Sequence, residues 1–206
     1  MIAARLRHRL GRHDPRAAHD ALVREHAAGA ESFLDVGCMW RIDGANAFAA
    51  EEAGAAKVTA MDVMDTTPAF EERLRDSAVV QFVQADIHYE GLPDWLGPHE
   101  IVWCSGVLYH VPEPLATIRQ LAALTGRRLL LATEVLPARG RRAVWLPTSR
   151  DHPGAPAAEP QSLDDYAPWY WLPSPAAVRS MLALAGLRVV REVGLGPYHR
   201  VFAADR

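Results

Sequence analysis

Short β-branched runs alternate with stretches of helical spacing through most of this chain, and that alternation constrains the fold more than any other feature. The runs are Ser32 to Val36, Lys57 to Met61, Val79 to Ala85, Glu100 to Cys104 and Arg128 to Thr133. Strands separated by helices cannot pair as hairpins, so they form βαβ units and a parallel sheet. The helices fill the gaps: Ala17 to Ala28, Gly44 to Ala53, Pro68 to Arg75 behind Thr67 as N-cap, and Pro114 to Leu124 with Leu115, Ile118 and Ala122 on its buried face. A last helix runs from Pro175 to Ala185, with Ser174 as N-cap, Val178, Met181 and Leu182 facing inward, and Gly186 as its stop.

The pattern then changes. Leu187 to Val193 and Arg200 to Ala204 are joined by Gly194-Leu195-Gly196-Pro197-Tyr198-His199, too short for a crossover helix, so these two strands pair antiparallel. The expected fold is α/β: a mostly parallel seven-stranded sheet with an antiparallel hairpin at its C-terminal end. Between Leu136 and Pro173 regularity stops, and Pro137, Pro147, Pro153, Pro156, Pro160 and Pro168 mark a long loop that reads as a functional lid. The expected organisation is a single domain over 1–206: an arm and helix (1–28), a ligand-binding half (32–135), the lid (136–173), and the terminal helix and hairpin (174–206).

Composition excludes several classes. No run of about 18 apolar residues is present, so no membrane span or membrane partner is expected. The Arg-studded start from Met1 to Pro15 has no apolar segment to serve as a signal peptide, which gives a cytoplasmic expectation. Two cysteines, Cys38 and Cys104, make neither a disulfide framework nor a zinc knuckle. The net charge of −3 argues against a surface built to neutralise phosphates. Arg5, Arg7, Arg9, Arg12 and Arg16, opposed only by Asp14, nevertheless make a basic arm. Two readings of it stay open: a solvated helix with Ile2, Leu6 and Leu10 as its apolar stripe, or a patch that steers an anionic substrate or RNA.

The chemistry lies at the carboxyl ends of the strands, where open α/β sheets bind ligands. The first strand ends in Leu34-Asp35-Val36-Gly37-Cys38, and Gly44 opens the following helix, whose N-terminus offers free N–H groups. Asp62 follows strand two, Asp86 follows strand three, and Cys104-Ser105-Gly106-Val107-Leu108-Tyr109-His110 follows strand four. In order and spacing, LDVGC, VTAMDV, FVQADI and WCSGVLYHVPEP resemble the successive motifs of class I S-adenosylmethionine-dependent methyltransferases, a Rossmann-like family, over roughly Ser32 to Arg206.

The resemblance implies S-adenosylmethionine as cofactor and a methyl acceptor, most simply a small molecule. It implies that Asp35, Gly37, Cys38 and Gly44 belong to the cofactor loop, that Asp62 accepts hydrogen bonds from the ribose hydroxyls, and that Asp86 meets the adenine amino group. Val63, Ile87 and Cys104 complete the implied cofactor surface. These roles make chemical sense, because a carboxylate is an acceptor-only group with two oxygens, suited to a diol or an amine. Asp35 also has a plainer reading, as the cap of its own loop, and Asp62 and Asp86 as strand-end turn residues.

The loop departs from the family's Gly-x-Gly-x-Gly: Cys38, Met39, Trp40 and Arg41 follow Gly37, with no glycine until Gly44. Part of Met39 to Ile42 then reads as an insertion, and the Met39 or Arg41 side chain is expected to crowd the methionine end of the cofactor. His110 and Tyr109 are the candidate bases for an acceptor that must lose a proton, with a structural histidine as the alternative. The reaction itself requires no metal. Trp169, Tyr170 and Trp171 are the candidate substrate-binding residues, for stacking on a ring or for packing the lid. Their stretch, Trp169-Tyr170-Trp171-Leu172-Pro173-Ser174, resembles a segment of the tRNA wobble-uridine carboxymethyl transferases and their relatives. Three rivals remain: a nicotinamide oxidoreductase, a tRNA-modifying enzyme, and a non-catalytic binding relative.

Overall fold

The computed structural model describes residues 15–145 and 170–206. The basic arm, apart from Arg16, lies outside the described residues, and so do most of the Pro-rich segment and Trp169.

In chain order the elements are α1 (Arg16–Ala27), β1 (Phe33–Val36), α2 (Ala45–Glu52), β2 (Val58–Asp62), α3 (Pro68–Asp76), β3 (Val80–Gln84), α4 (Leu92–Leu96), β4 (His99–Ser105), a single 3-10 turn (Leu108–His110), α5 (Pro114–Ala123), β5 (Thr125–Glu134), β6 (Ala143–Trp145), β7 (Trp171–Pro173), α6 (Pro175–Leu184), β8 (Arg188–Gly194) and β9 (His199–Asp205). Seven strands form one sheet in the order β3-β2-β1-β4-β5-β9-β8. β1 to β5 are parallel, while β9 runs antiparallel to both β5 and β8, as the short connection before it requires. The order runs one way from β1 to β3 and the other way from β4, so the carboxyl ends of β1 and β4 flank the switch point at which such sheets open a crevice.

Each face of the sheet buries its own core, because strand side chains alternate. On one side Phe33, Ala60, Trp103 and Leu130 pack under Leu22 and Val23 of α1, Ala47 and Phe48 of α2 and Phe70 of α3. On the other side Leu34, Val36, Met61, Val102 and Leu131 pack under Leu92 of α4, Ile118 and Leu121 of α5 and Val178 and Leu182 of α6. Fully buried side chains such as Phe33 are worth about 1.5–3 kcal/mol each.

The caps act as the sequence suggests. Thr67 Oγ1 accepts from Phe70 N at 3.1 Å, Ser174 Oγ accepts from Ala177 N at 3.3 Å, and Gly186 takes φ +83° just past α6. The hairpin is pinned to the sheet by a two-pronged ion pair, Arg128 Nε to Asp205 Oδ1 at 2.6 Å and Nη2 to Oδ2 at 3.1 Å.

Some expectations need correction. α4 is a one-turn helix that its five residues, Leu92-Pro93-Asp94-Trp95-Leu96, are too few to announce by periodicity. β5 begins at Thr125, three residues early. Leu115 and Met181 are half-buried, and Leu121 and Thr117 complete the inner face of α5. The described ends of the Pro-rich segment are not irregular: β6 and β7 pair antiparallel, Ala143 opposite Pro173 and Trp145 opposite Trp171. Among the described residues no helix is long and apolar enough to cross a membrane.

Gly44 tests the packing. It sits at φ +71°, and a Cβ there would lie 2.4 Å from Cδ2 of Phe70, deep in the core. Gly54 shares a positive φ of +95° but has open space around it. Gly44→Ala should therefore cost about 2 kcal/mol more than Gly54→Ala in urea unfolding, since only the first adds overpacking to backbone strain. Equal costs would show that the Phe70 contact gives way freely.

Candidate functional site

The carboxyl ends of the parallel strands open into a cavity of about 470 Å3, within the usual range for small-molecule sites. Val36 and Gly37 come from the end of β1, Asp62 to Met64 from β2, Ala85 to His88 from β3, and Ser105 to Val107 from β4. Tyr109 and His110 come from the 3-10 turn, Val111 and Pro112 follow it, and Trp40, Ile42, Met61 and Tyr170 complete the described wall. Gly37 is required here: at φ +80°, a Cβ would lie 2.5 Å from Cγ2 of Val107 and 3.2 Å from the Ser105 carbonyl.

Asp62 closes β2 with its side chain held from both sides. Oδ2 accepts from Met39 N at 2.8 Å and Oδ1 from Met64 N at 2.9 Å. A carboxylate offers about four lone-pair sites, so each oxygen keeps acceptor capacity toward the cavity. Burial raises the Asp62 carboxyl above its ordinary range, and the N–H groups of Met64, Met39 and Val63 pull it back. Asp86 is exposed at the rim, its Oδ1 accepting from His88 N at 2.8 Å. Val63, 58% exposed, and Ile87 add apolar surface beside the two acids. Apolar surface edged by carboxylates suits a flat ring with an exocyclic amine, joined to a diol.

Asp35 lies beneath this edge. The β1–β2 register pairs it with Ala60, so Asp62, two residues on, projects from the same face as its diagonal neighbour. Asp35 is fully buried, and neither oxygen makes a well-formed hydrogen bond among the described residues. Burial pushes its carboxyl up to about 8, the Asp62 charge adds to this, and the Ala47 N–H in the first turn of α2 gives only a small opposing pull.

Other expected site residues stand off the cavity wall. Cys38 and Cys104 are fully buried thiols, held neutral by burial; Cys104 is opposite Val36 in register and packs into the α4–α5–α6 core. Gly44 is there for the Phe70 ring. Met39 and Arg41, expected to crowd the cofactor, are not on the cavity wall. The Met39 side chain is buried in the core, and Arg41 is exposed. The loop closes on its own backbone, with Gly44 N donating to Cys38 O at 2.8 Å and Asp43 N to Met39 O at 3.1 Å. Arg41 (φ +58°) and Asp43 (φ +45°) thus take left-handed conformations that glycine ordinarily supplies. It is Trp40 that reaches the wall, which the sequence reading missed because the loop's shape is set by these two unusual residues.

Tyr109 and His110 share the wall, with ring centroids 4.3 Å apart. Burial, followed by the negative charge of Glu134, raises the Tyr109 phenol and favours its protonated, hydrogen-bond-donating form. His110 is left as the candidate base. Tyr170 is fixed by its N–H to the Tyr109 carbonyl at 2.8 Å. Trp171 is not on the described wall but holds one of its members, with Nε1 donating to Pro112 O at 2.9 Å. His88, also missed, lines the cavity with Nε2 2.6 Å from Thr117 Oγ1. No group of three or more His, Cys, Asp or Glu able to hold a metal occurs among the described residues.

Residues 34–127 match the family described as a methyltransferase domain. This segment is a methyltransferase domain. Its methyl donor is S-adenosylmethionine. The matched segment holds β1 from its second residue, β2 to β4, α5 and the whole described cavity wall except Tyr170. No curated protein sequence matches the chain significantly.

Solved structures with the same fold include 1,6-didemethyltoxoflavin-N1-methyltransferase of Burkholderia thailandensis, with 1,6-didemethyltoxoflavin and S-adenosylhomocysteine bound. It has a TM-score of 0.68 at 15% identity, over 92% of this chain and 76% of that one. Magnesium protoporphyrin IX methyltransferase from Synechocystis PCC 6803, with S-adenosylmethionine bound, has a TM-score of 0.61 at 21% identity, over 94% and 82%. The N-terminal domain of EvdMO1, with S-adenosylhomocysteine bound, gives 0.64 at 18% identity, over 93% and 80%. At such identities these likenesses establish the fold alone.

The buried acid gives this methyltransferase domain a pH signature. Folding raises the Asp35 carboxyl from the ordinary range of about 3.9 to about 8, so the folded state binds the proton more tightly than the unfolded state. Its contribution to stability is complete below the unfolded value and is lost as pH rises through the folded one. Wild-type melting temperature should fall from mildly acidic to mildly alkaline pH more steeply than that of Asp35→Asn. Parallel profiles would mean that Asp35 is already ionised in the folded protein.

Proposed function

We propose that this chain moves the methyl group of S-adenosylmethionine onto a small organic acceptor seated on the Tyr109, His110 and Tyr170 side of the cavity. The observation that carries the reading is Asp62, fixed at the cavity edge by two backbone N–H groups with acceptor capacity to spare. In this reading Asp62 grips the ribose hydroxyls, Asp86 accepts from the adenine amine, and Val63 and Ile87 cover the ring. Gly37 leaves room for the backbone of the β1–α2 loop to approach the ligand. The small-molecule acceptor is supported by two of the similar structures, which are named for 1,6-didemethyltoxoflavin and magnesium protoporphyrin IX.

When bound, S-adenosylmethionine supplies an electrophilic methyl on a sulfonium. The chain's own work is to hold the acceptor's lone pair in line with that bond and to exclude water. For a hydroxyl or amine acceptor, His110 takes the departing proton and Tyr109 donates a hydrogen bond that orients the acceptor. An acceptor that is already nucleophilic needs only the positioning. Tyr170 is the one member of the aromatic cluster on the described wall, and it gives the acceptor a face to stack on.

Calorimetric titration with S-adenosylhomocysteine tests the assignment. Hydrogen bonds to a charged group are worth about 1.5–3 kcal/mol each, and about 1.4 kcal/mol is one decade in affinity. Asp62→Ala should therefore weaken binding at least about tenfold, Asp86→Ala by less, and the wild type should bind NAD far more weakly. Tight NAD binding, or full affinity in Asp62→Ala, would overturn the reading. Tight cofactor binding with no transfer to any amine, hydroxyl or heterocycle acceptor would instead mark a non-catalytic binding protein.

A further inference from the structure

We propose that S-adenosylmethionine enters this cavity with loss of a proton from the Asp35–Asp62 pair, so that the floor of the site distinguishes the cationic donor from the neutral thioether product. The proposal rests on the reading of the cavity as the methyl-donor site. Its ground is the arrangement of the two acids. They project from one face of the sheet on adjacent strands, Asp62 on the cavity wall and Asp35 one diagonal step below it in the core.

The groups that face Asp35 come from every element around it, and none of them compensates a negative charge well. β2 contributes Asp62, like in sign. The loop after β1 contributes Cys38 and β4 contributes Cys104, both neutral thiols on which Asp35 acts. β4 also places Trp103 opposite Asp35 in register, and α2 offers only the Ala47 N–H. Among the described residues no cationic side chain is among the groups acting on Asp35. Two neighbouring carboxyls in apolar surroundings do not both ionise at neutral pH; no hydrogen bond joins these two, and the proton stays on the deeper, unpartnered Asp35.

A cation at the cavity changes that balance. S-adenosylmethionine carries a sulfonium, an ammonium and a carboxylate, for one net positive charge. S-adenosylhomocysteine has lost the sulfonium and is neutral overall. The donor's charge favours the ionised form of the pair, so the Asp35 carboxyl gives up its proton to bulk water and both acids become carboxylates. After methyl transfer the sulfonium charge is gone, the pair takes a proton back, and the product is held less firmly than the donor.

The test is calorimetry of the whole chain near neutral pH in several buffers of different ionisation enthalpy, which counts protons released per ligand bound. Wild type should release close to one proton with S-adenosylmethionine and clearly fewer with S-adenosylhomocysteine. Asp35→Asn, with its fold checked by circular dichroism, should release none with either and lose most of its preference for the donor. Binding of the donor without proton release, equal counts for donor and product, or an unchanged count in Asp35→Asn would overturn the proposal. The wild-type comparison decides without any variant should Asp35→Asn fail to fold. Absence of binding by either ligand would instead remove the reading of the cavity itself, and the proposal with it.

Discussion

The grip of two backbone N–H groups on the Asp62 carboxylate is the constraint on which the site depends. Met39 N comes from the loop after β1 and Met64 N from the loop after β2, so one side chain ties two adjacent loops to a single edge. A buried acid costs free energy unless it is hydrogen-bonded, and here the bonds that offset that cost also shape the cavity. The β1–α2 loop cannot open away from the sheet without releasing Met39 N from the acid. Trp40 therefore stays on the cavity wall, and Gly44 N stays within reach of the Cys38 carbonyl. The left-handed Arg41 and Asp43 are held in the same way, with Asp43 Oδ1 further accepting from Thr67 Oγ1 at 2.8 Å. Loop, strand end and the cap of α3 form one connected unit.

A second polar chain steadies the far side of the sheet. His199 Nδ1 donates to Glu134 Oε1 at 2.9 Å. His199 Nε2 lies 2.9 Å from His19 Nε2, with one proton between the two rings. The His19 ring also meets Trp103 edge-on, with centroids 5.1 Å apart. A helix at the start of the described chain is thereby tied to the last strand and to the end of β5. Packing alone would not fix that docking so specifically, because a polar chain is satisfied in only one arrangement.

Much of the fold was legible because its strands are short, apolar and regularly spaced, and because Thr67, Ser174 and Gly186 mark helix ends by side-chain chemistry that acts locally. The antiparallel reversal could be read from a connection too short to hold a helix. What escaped depends on contacts distant in sequence. α4 is too brief for a periodic signal, and the β6–β7 pairing joins residues 143–145 to 171–173 across the Pro-rich segment. In the site, the placement of Asp62 and Asp86 on the cavity wall followed from their positions at strand ends. Cys38 and Cys104 were placed by position too, but a strand-end residue faces the ligand or the core according to the parity of the strand, and both went to the core. Trp40 was hidden because a loop built on Arg41 and Asp43 in left-handed conformations does not follow the glycine pattern.

A crystal structure of the protein soaked with S-adenosylhomocysteine tests the central claim most directly. The account requires ligand density in the cavity at the ends of β1 to β4, with both ribose hydroxyls within hydrogen-bond distance of the Asp62 carboxylate and the adenine ring against Val63 and Ile87. Density seated elsewhere on the chain, or a ribose that leaves Asp62 untouched, would contradict it.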